Sequence, residues 1–180
     1  ALHWAVYLND EETASALVRA GADVNQPNNY AVTPLALAAR NGHPDILELL
    51  LRVGANPNDP LHTVNADETP LMLAARSGQV EAVQALLRAG ADIDAREAWN
   101  GQSGLMWAAA EGHADVVRTL VAHGADIGVR SNSGATPLLF AARKGNLEVI
   151  RILLAAGADV NERRPDGATP LLVAVINGHE

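Results

Sequence analysis

Apolar residues recur in a fixed set of paired positions: Ile46, Leu47, Leu50 and Leu51, then Val116, Val117, Leu120 and Val121, then Val149, Ile150, Leu153 and Leu154. A spacing of i, i+1, i+4 and i+5 places each set on one stripe of an α-helix whose remaining surface is polar. Ahead of each stripe lies a shorter apolar run, such as Leu35 to Ala39, whose adjacent alanines permit close approach of a neighbouring helix. Thr33-Pro34, Thr69-Pro70, Thr136-Pro137 and Thr169-Pro170 introduce these runs. Each places a hydroxyl at the N-cap and a proline at the first helical position, where the missing N–H costs nothing. The runs stop at Gly42, Gly78, Gly112, Gly145 or Gly178, residues suited to the left-handed conformation of a helix end, and Asn9 fills that place in the first unit. The pattern predicts pairs of short helices.

The pairs repeat. Gly-Ala recurs at Gly21, Gly54, Gly90, Gly124 and Gly157, in steps of 33, 36, 34 and 33 residues. The leucine of Thr-Pro-Leu, at Leu35, Leu71, Leu105 and Leu138, with Leu2 as its counterpart at the start, lies 19 residues before the following Gly-Ala glycine each time. Length variation is therefore confined to the segment after Gly-Ala, where Asn100-Gly101, Ser133-Gly134 and Asp166-Gly167 suit tight turns. Each such segment reads as a projecting, hairpin-like finger. One unit of helix, turn, helix and finger cannot bury its stripe alone, so units must stack into a solenoid.

Thr-Pro-Leu-x-Leu-Ala-Ala, Gly-His and Leu-Leu-x-x-Gly-Ala-Asp-Val-Asn resemble the ankyrin repeat, and the resemblance covers essentially the whole chain. It implies an all-α ankyrin repeat solenoid of stacked helix-turn-helix units with β-hairpin-like fingers. The expected organisation is a single domain over 1–180, with repeats at about 1–27 (partial), 28–60, 61–96, 97–130, 131–163 and 164–180 (partial). Both ends fall inside a repeat, so the chain is expected to be part of a longer array. The family's usual histidine after Thr-Pro-Leu survives only as His3; Ala36, Met72, Met106, Leu139 and Leu172 replace it, a departure similar to prokaryotic ankyrin arrays. The fourth unit starts with Ser103-Gly104-Leu105, and Gly104 is expected to make the Gly101–Met106 junction the most mobile helix start.

Composition narrows the function classes. There is no cysteine, 48% of residues are apolar, and the formal charge is −8. These values exclude a disordered tail, a disulfide scaffold and a thiolate zinc site, and no stretch is long and apolar enough to span a membrane. Aromatic residues make up 3%, so the core must be built of Ala, Leu, Val and Ile. The acidic excess argues against unspecific binding to nucleic acid or an anionic membrane. Positive and negative residues at finger and first-helix positions cancel, so the −8 falls on second helices, turns and ends. No targeting segment is evident, and the compartment stays open, with the cytoplasm favoured.

Catalytic chemistry finds no support. His43, His113 and His179 share one repeat position, which the resemblance marks as structural, and His62 has no second ligand at a recognisable spacing. No His-Glu-x-x-His, Gly-rich phosphate loop or Gly-x-Ser-x-Gly occurs. The acidic pairs Glu11-Glu12, Asp67-Glu68 and Asp92/Asp94 fall on turns or helix starts, not in a desolvated pocket. No enzyme, cofactor, metal or small-molecule substrate is expected.

Binding remains. The resemblance implies a concave surface made of finger tips and the exposed side of the first helices. On it, Arg40, Arg76 and Arg143 recur at one register, followed by Lys144 in the fifth unit, with Tyr7 at the corresponding end of the first helix and Glu111 interrupting the row. The row reads either as a basic ladder or as solvated arginines paired with finger acids. Trp99, in a finger one residue longer than the standard, and Tyr30, in another, favour a binding surface, since exposed aromatics beside arginines make interface hot spots. The expected partner-binding set is Tyr7, Tyr30, Arg40, Arg76, Trp99, Glu111, Arg143 and Lys144, for a protein or peptide partner that is acidic where it meets the arginines. Trp4, Trp107 and Phe140 occupy the buried register of a first helix and are expected in the core. The longer finger Asn58 to Glu68 carries Leu61 and Val64 at its tip, either as an extra contact point or as tolerated loop drift. The alternative to an interaction module is a structural spacer or assembly segment that docks a neighbouring domain.

Overall fold

The computed structural model describes residues 1–62 and 67–179. Among these, eleven helices and one short hairpin are formed, divided between two compact units, Ala1–Asp92 and Ile93–Glu180.

The first unit holds α1 (Leu2–Tyr7), α2 (Glu11–Arg19), α3 (Pro34–Asn41), α4 (Pro44–Arg52), α5 (Pro70–Arg76) and α6 (Val80–Arg88), with β1 (Leu61–His62) and β2 (Asp67–Glu68) between α4 and α5. Helices α1, α3 and α5 pack in sequence as an inner row, and α2, α4 and α6 as an outer row. The second unit repeats the scheme with α7 (Gly104–Glu111), α9 (Pro137–Lys144) and α11 (Pro170–Ile176) inside and α8 (Ala114–Ala122) and α10 (Leu147–Ala155) outside.

Helix starts follow the sequence reading. The hydroxyls of Thr33, Thr69, Ser103, Thr136 and Thr169 accept the N–H of Ala36, Met72, Met106, Leu139 and Leu172 at 3.2, 3.3, 3.5, 3.4 and 3.3 Å. Each such bond satisfies one of the amides a helix leaves unpaired at its start. At α2 the carboxylate of Asp10 takes this role from Thr13, and the two hydrogen bonds from the Thr13 hydroxyl and amide hold its carboxyl below the usual range.

The core is aliphatic. Ala38, Ala39, Ala74 and Ala75 are fully buried between inner helices of the first unit, as are Ala108, Ala109 and Ala141 in the second. Only small residues at these positions let the short helices lie close. On the outer helices Ile46, Leu47 and Leu50, Val116, Val117 and Leu120, and Val149 and Leu153 are buried, while Leu51, Val121, Ile150 and Leu154 are half-buried. The buried stripe is thus narrower than the periodicity alone predicts.

Neighbouring repeats are latched by side chains at the turn between helices. His43 Nδ1 meets the Val6 carbonyl at 2.8 Å, Asn146 Nδ2 donates to the Ala109 carbonyl at 2.9 Å, and His179 Nε2 meets the Arg143 carbonyl at 3.2 Å. The recurrent histidines His43 and His179 therefore have a structural task. The glycines ahead of them are also seats: a β-carbon on Gly42 would meet the Gln79 side chain at 2.3 Å, and one on Gly145 the His179 ring at 2.5 Å. A second latch joins the Gly-Ala turns. Asn25 Nδ2 donates to the Gly54 carbonyl while its Oδ1 accepts from Asn56, and Asn58 repeats this with Gly90 and Asp92.

Two expectations are corrected. Trp4 is 65% exposed. Its register is buried in the third repeat, where Leu61 packs on Leu73 and Ala36, whereas Trp4 lines an open cleft. Leu61, expected at a finger tip, is by that packing a core residue, with β1 pairing Leu61 against Glu68. Val64 lies outside the described residues. Phe140 is buried as expected, and Trp107 is half-buried.

Candidate partner-binding surfaces

Finger geometry decides which side chains stand out. In the second, fifth and sixth repeats the finger closes by a four-residue hydrogen bond: Asn28 N–H to Val32, Ser131 to Ala135, and Arg164 to Ala168. The fourth finger closes between Glu97 and Gln102 instead, and Arg96 bridges Ser103. The extra residue comes in the stretch that holds Trp99, which stands 64% exposed.

Glu97 holds this longer loop in place. Its side chain is buried, at 2% exposure, and the carboxylate accepts the backbone N–H of Trp99 at 2.6 Å, of Asn100 at 2.9 Å and of Gln102 at 3.0 Å. A carboxylate with three backbone donors is satisfied without a cation. From the next finger, Asn132 donates its side-chain amide to the Trp99 carbonyl at 3.0 Å and its backbone N–H to Asn100 at 2.7 Å. The indole is thus presented on a tied-down loop.

In the second repeat, Asn28 does the equivalent work, its Oδ1 accepting from Tyr30 at 2.9 Å and Val32 at 3.1 Å. Ala31 follows at φ +58°, in the place where the later fingers have Gly101, Gly134 and Gly167. Tyr30 between them is 82% exposed. It lines an open cleft of 630 Å³ with Trp4, Tyr7, Val32, Leu37 and Arg40, the Trp4 and Tyr7 rings stacked at 5.6 Å. His3 on its wall is tied by Nε2 to the Val32 carbonyl at 2.8 Å.

The expected arginine row breaks into three environments. Arg40 is exposed and makes no ion pair among the described residues. Half-buried Arg76 is clamped by the buried carboxylate of Glu68, which both terminal guanidinium nitrogens reach, so most of its charge is answered within the fold. Arg143 lies over the Phe140 ring, 5.0 Å from its centroid, and Lys144 and Glu111 are exposed on the same unit. The structure therefore gathers Tyr7, Tyr30 and Arg40 in one cleft of the first unit and leaves Arg76 outside it. Trp99, Glu111, Arg143 and Lys144 belong to the second unit.

The carboxyl of Glu162, beside these fingers, is perturbed. Burial raises its carboxyl above the usual range, while the hydrogen bond from the Thr136 hydroxyl and the charge of Arg130 oppose that rise and Asp159 adds to it. The Thr136 hydroxyl whose hydrogen bond Glu162 accepts caps the start of α9, 26 residues earlier in the chain. No helix among the described residues is long and apolar enough to cross a membrane, and none of their acids and histidines gather in groups of three or more that could hold a metal ion.

Stacked pairs of short helices, latched repeat to repeat and carrying exposed aromatics and arginines on their fingers, define a helical repeat protein of the interaction type. Comparison with known families names it. Three copies of the ankyrin repeats model match residues 2–97, 59–131 and 105–180, and the chain belongs to the ankyrin repeat family, whose repeats are general protein-interaction modules. A 56-residue stretch is 43% identical to palmitoyltransferase AKR1 of Candida albicans, covering 31% of this chain and 7% of that protein. Another match is 41% identical over 56 residues to human protein phosphatase 1 regulatory subunit 27, covering 31% of this chain and 36% of the relative. A putative ankyrin repeat protein of fowlpox virus is 41% identical over 58 residues, 32% of this chain and 20% of its own length. The chain thus spans between 7% and 36% of these relatives, and what it shares with the palmitoyltransferase is a partial match over repeats.

Proposed function

We propose that the protein is an interaction module that holds a protein or peptide partner on its finger tips and first-helix faces and carries out no catalysis. The supporting observation is the cleft of the first unit, where Trp4, Tyr7 and Tyr30 surround a space next to the unpaired Arg40. Its size falls within the range of concave sites, and Trp, Tyr and Arg are the residue types that dominate interface energetics. The human relative's name, a regulatory subunit of protein phosphatase 1, is in keeping with a binding role.

The test is affinity capture from a lysate of the source cell with the intact protein, Tyr30→Ala/Arg40→Glu and Trp99→Ala/Arg143→Glu, read by mass spectrometry. A partner lost from either variant with an unchanged melting temperature supports the reading. Capture undiminished by both variants rejects the surfaces named here. A second reading, an assembly segment that docks a neighbouring domain, is favoured by the exposed apolar face of α11, where Leu171, Val175 and Ile176 meet solvent.

A further inference from the structure

Six residues after the Gly-Ala glycines Gly90, Gly124 and Gly157 stand Arg96, Arg130 and Arg163, whereas the same place after Gly21 and Gly54 holds Pro27 and Pro60. The arginine register is therefore confined to the fingers of the second unit. Two of the guanidiniums sit alike: Arg96 Nε donates to the Gly101 carbonyl at 2.9 Å and Arg130 Nη1 to the Gly134 carbonyl at 2.9 Å, each crossing its own finger. Arg130 also reaches the Arg163 carbonyl at 3.1 Å, so neighbouring members of the row are adjacent in space. All three are exposed, and none forms an ion pair with a carboxylate among the described residues. The nearby acids are engaged elsewhere. Glu97 is buried against three amides, Glu162 takes the Thr136 hydroxyl although its charge is felt by Arg130, and Asp166 pairs with Arg164 at 3.1 Å.

We propose that this finger edge binds an acidic segment in the polyproline II conformation, with a carboxylate at every third residue, laid along Arg96, Arg130 and Arg163. The inference rests on the interaction-module reading and names the chemistry of the partner. Packed helices, and with them the fingers of successive repeats, are spaced at about 8–10 Å. A polyproline II helix has three residues per turn and rises about 3.1 Å per residue, so residues three apart share a face at about 9 Å. A β-strand alternates faces and does not present every third side chain to one edge. Arg96 and Arg130 keep guanidinium donors beyond their bonds to the finger carbonyls, the Arg163 side chain makes no such bond among the described residues, and paired charge-assisted bonds to carboxylates suit that geometry. Trp99, on the finger of Arg96, supplies the exposed aromatic face against which a proline of such a segment packs.

The test uses the intact protein and three fluorescent probes: a peptide of three Glu-Pro-Pro triplets, a peptide of the same composition with its three glutamates adjacent, and oligothymidylate. The spaced peptide is expected to bind at least ~tenfold more tightly than the clustered one and to weaken with salt, because exposed charge pairs are screened. Arg163→Gln, which removes no hydrogen bond within the fold, should weaken the spaced peptide up to ~fivefold at an unchanged melting temperature, the scale of one exposed ion pair. Arg96→Gln with Arg130→Gln and Arg163→Gln should cost at least ~tenfold. Equal affinity for the two peptides, or tighter binding of oligothymidylate, overturns the proposal. If neither peptide binds while partner capture still depends on Trp99, the acidic segment is rejected and the interaction module stands. If neither peptide binds and capture is undiminished by Tyr30→Ala/Arg40→Glu and by Trp99→Ala/Arg143→Glu, both are rejected.

Discussion

The buried carboxylate of Glu97 accepts the backbone N–H of Trp99 at 2.6 Å while the indole itself stands in solvent. One residue spends a buried charge so that another can be exposed in a fixed position. Glu97→Ala leaves three amides of the finger without their acceptor, and hydrogen bonds to a charged group contribute about 1.5–3 kcal/mol each when broken in a buried setting. The expected loss is at least about 2 kcal/mol in denaturant unfolding, with faster hydrogen exchange at the Trp99, Asn100 and Gln102 amides. Exchange at those three positions unchanged from the parent protein would show that the carboxylate does not hold the loop.

The start of α7 offers a second measurement. Its cap, from Met106 N–H to the Ser103 hydroxyl at 3.5 Å, is the longest of the five hydroxyl caps, and Gly104 replaces the proline found at Pro34, Pro70, Pro137 and Pro170. Gly104→Pro fixes φ at the first helical position, where no amide bond is lost. The Met106 amide is expected to exchange faster than those of Ala36, Met72 and Leu139, and the substitution to slow it. Equal protection at all four refutes the expectation that this junction is the most mobile start.

Ala31 is a non-glycine residue at φ +58° in a finger where later repeats use glycine. An L-residue with a β-carbon is strained by about 1–2 kcal/mol in this region. Ala31→Gly removes that strain, partly offset by the greater freedom of glycine in the unfolded chain. A net gain of about 0.5–1 kcal/mol is expected from these two terms, read as a higher melting temperature. A lower melting temperature contradicts the assignment of strain.

Glu162 gives stability a pH dependence. Its folded-state carboxyl lies above the ordinary value of 4.5, chiefly through burial, so the folded protein holds this proton more tightly than the unfolded chain does. The contribution therefore favours folding at low pH and is lost as pH rises through the raised value. Glu162→Gln, which stays neutral and keeps an acceptor for the Thr136 hydroxyl, should be more stable than the parent at neutral pH. The difference should shrink as pH falls toward 4.5. Unfolding free energies of the two proteins that differ by a constant across that interval would exclude the mechanism.

The fold was largely legible because its signals are local and repeated. Thr-Pro at a helix start, glycine at a helix end and a 19-residue interval each act within one turn of chain, and repetition makes them unmistakable. Burial was less legible where it depends on a partner from another segment. Trp4 and Leu37 share one register, yet only Leu37 is buried, and no pattern within the helix distinguishes them. The Arg40, Arg76 and Arg143 row shows the same limit, since spacing gives a common register but not the carboxylate of Glu68 that answers Arg76. Glu97 left no signal beyond its position in a longer finger, because a buried acid satisfied by backbone amides looks in sequence like any loop acid. The Arg96, Arg130 and Arg163 spacing is visible in sequence, but their freedom from ion pairs is not.

The glycine seats at Gly42 and Gly145 give the array a direction. A side chain introduced at either position must take a left-handed φ, +71° at Gly42 and +70° at Gly145, which strains its own helix end, and it also strikes a residue of the following repeat, Gln79 or His179. A lesion at these glycines is therefore felt twice, in the repeat that carries it and in the next one downstream along the chain.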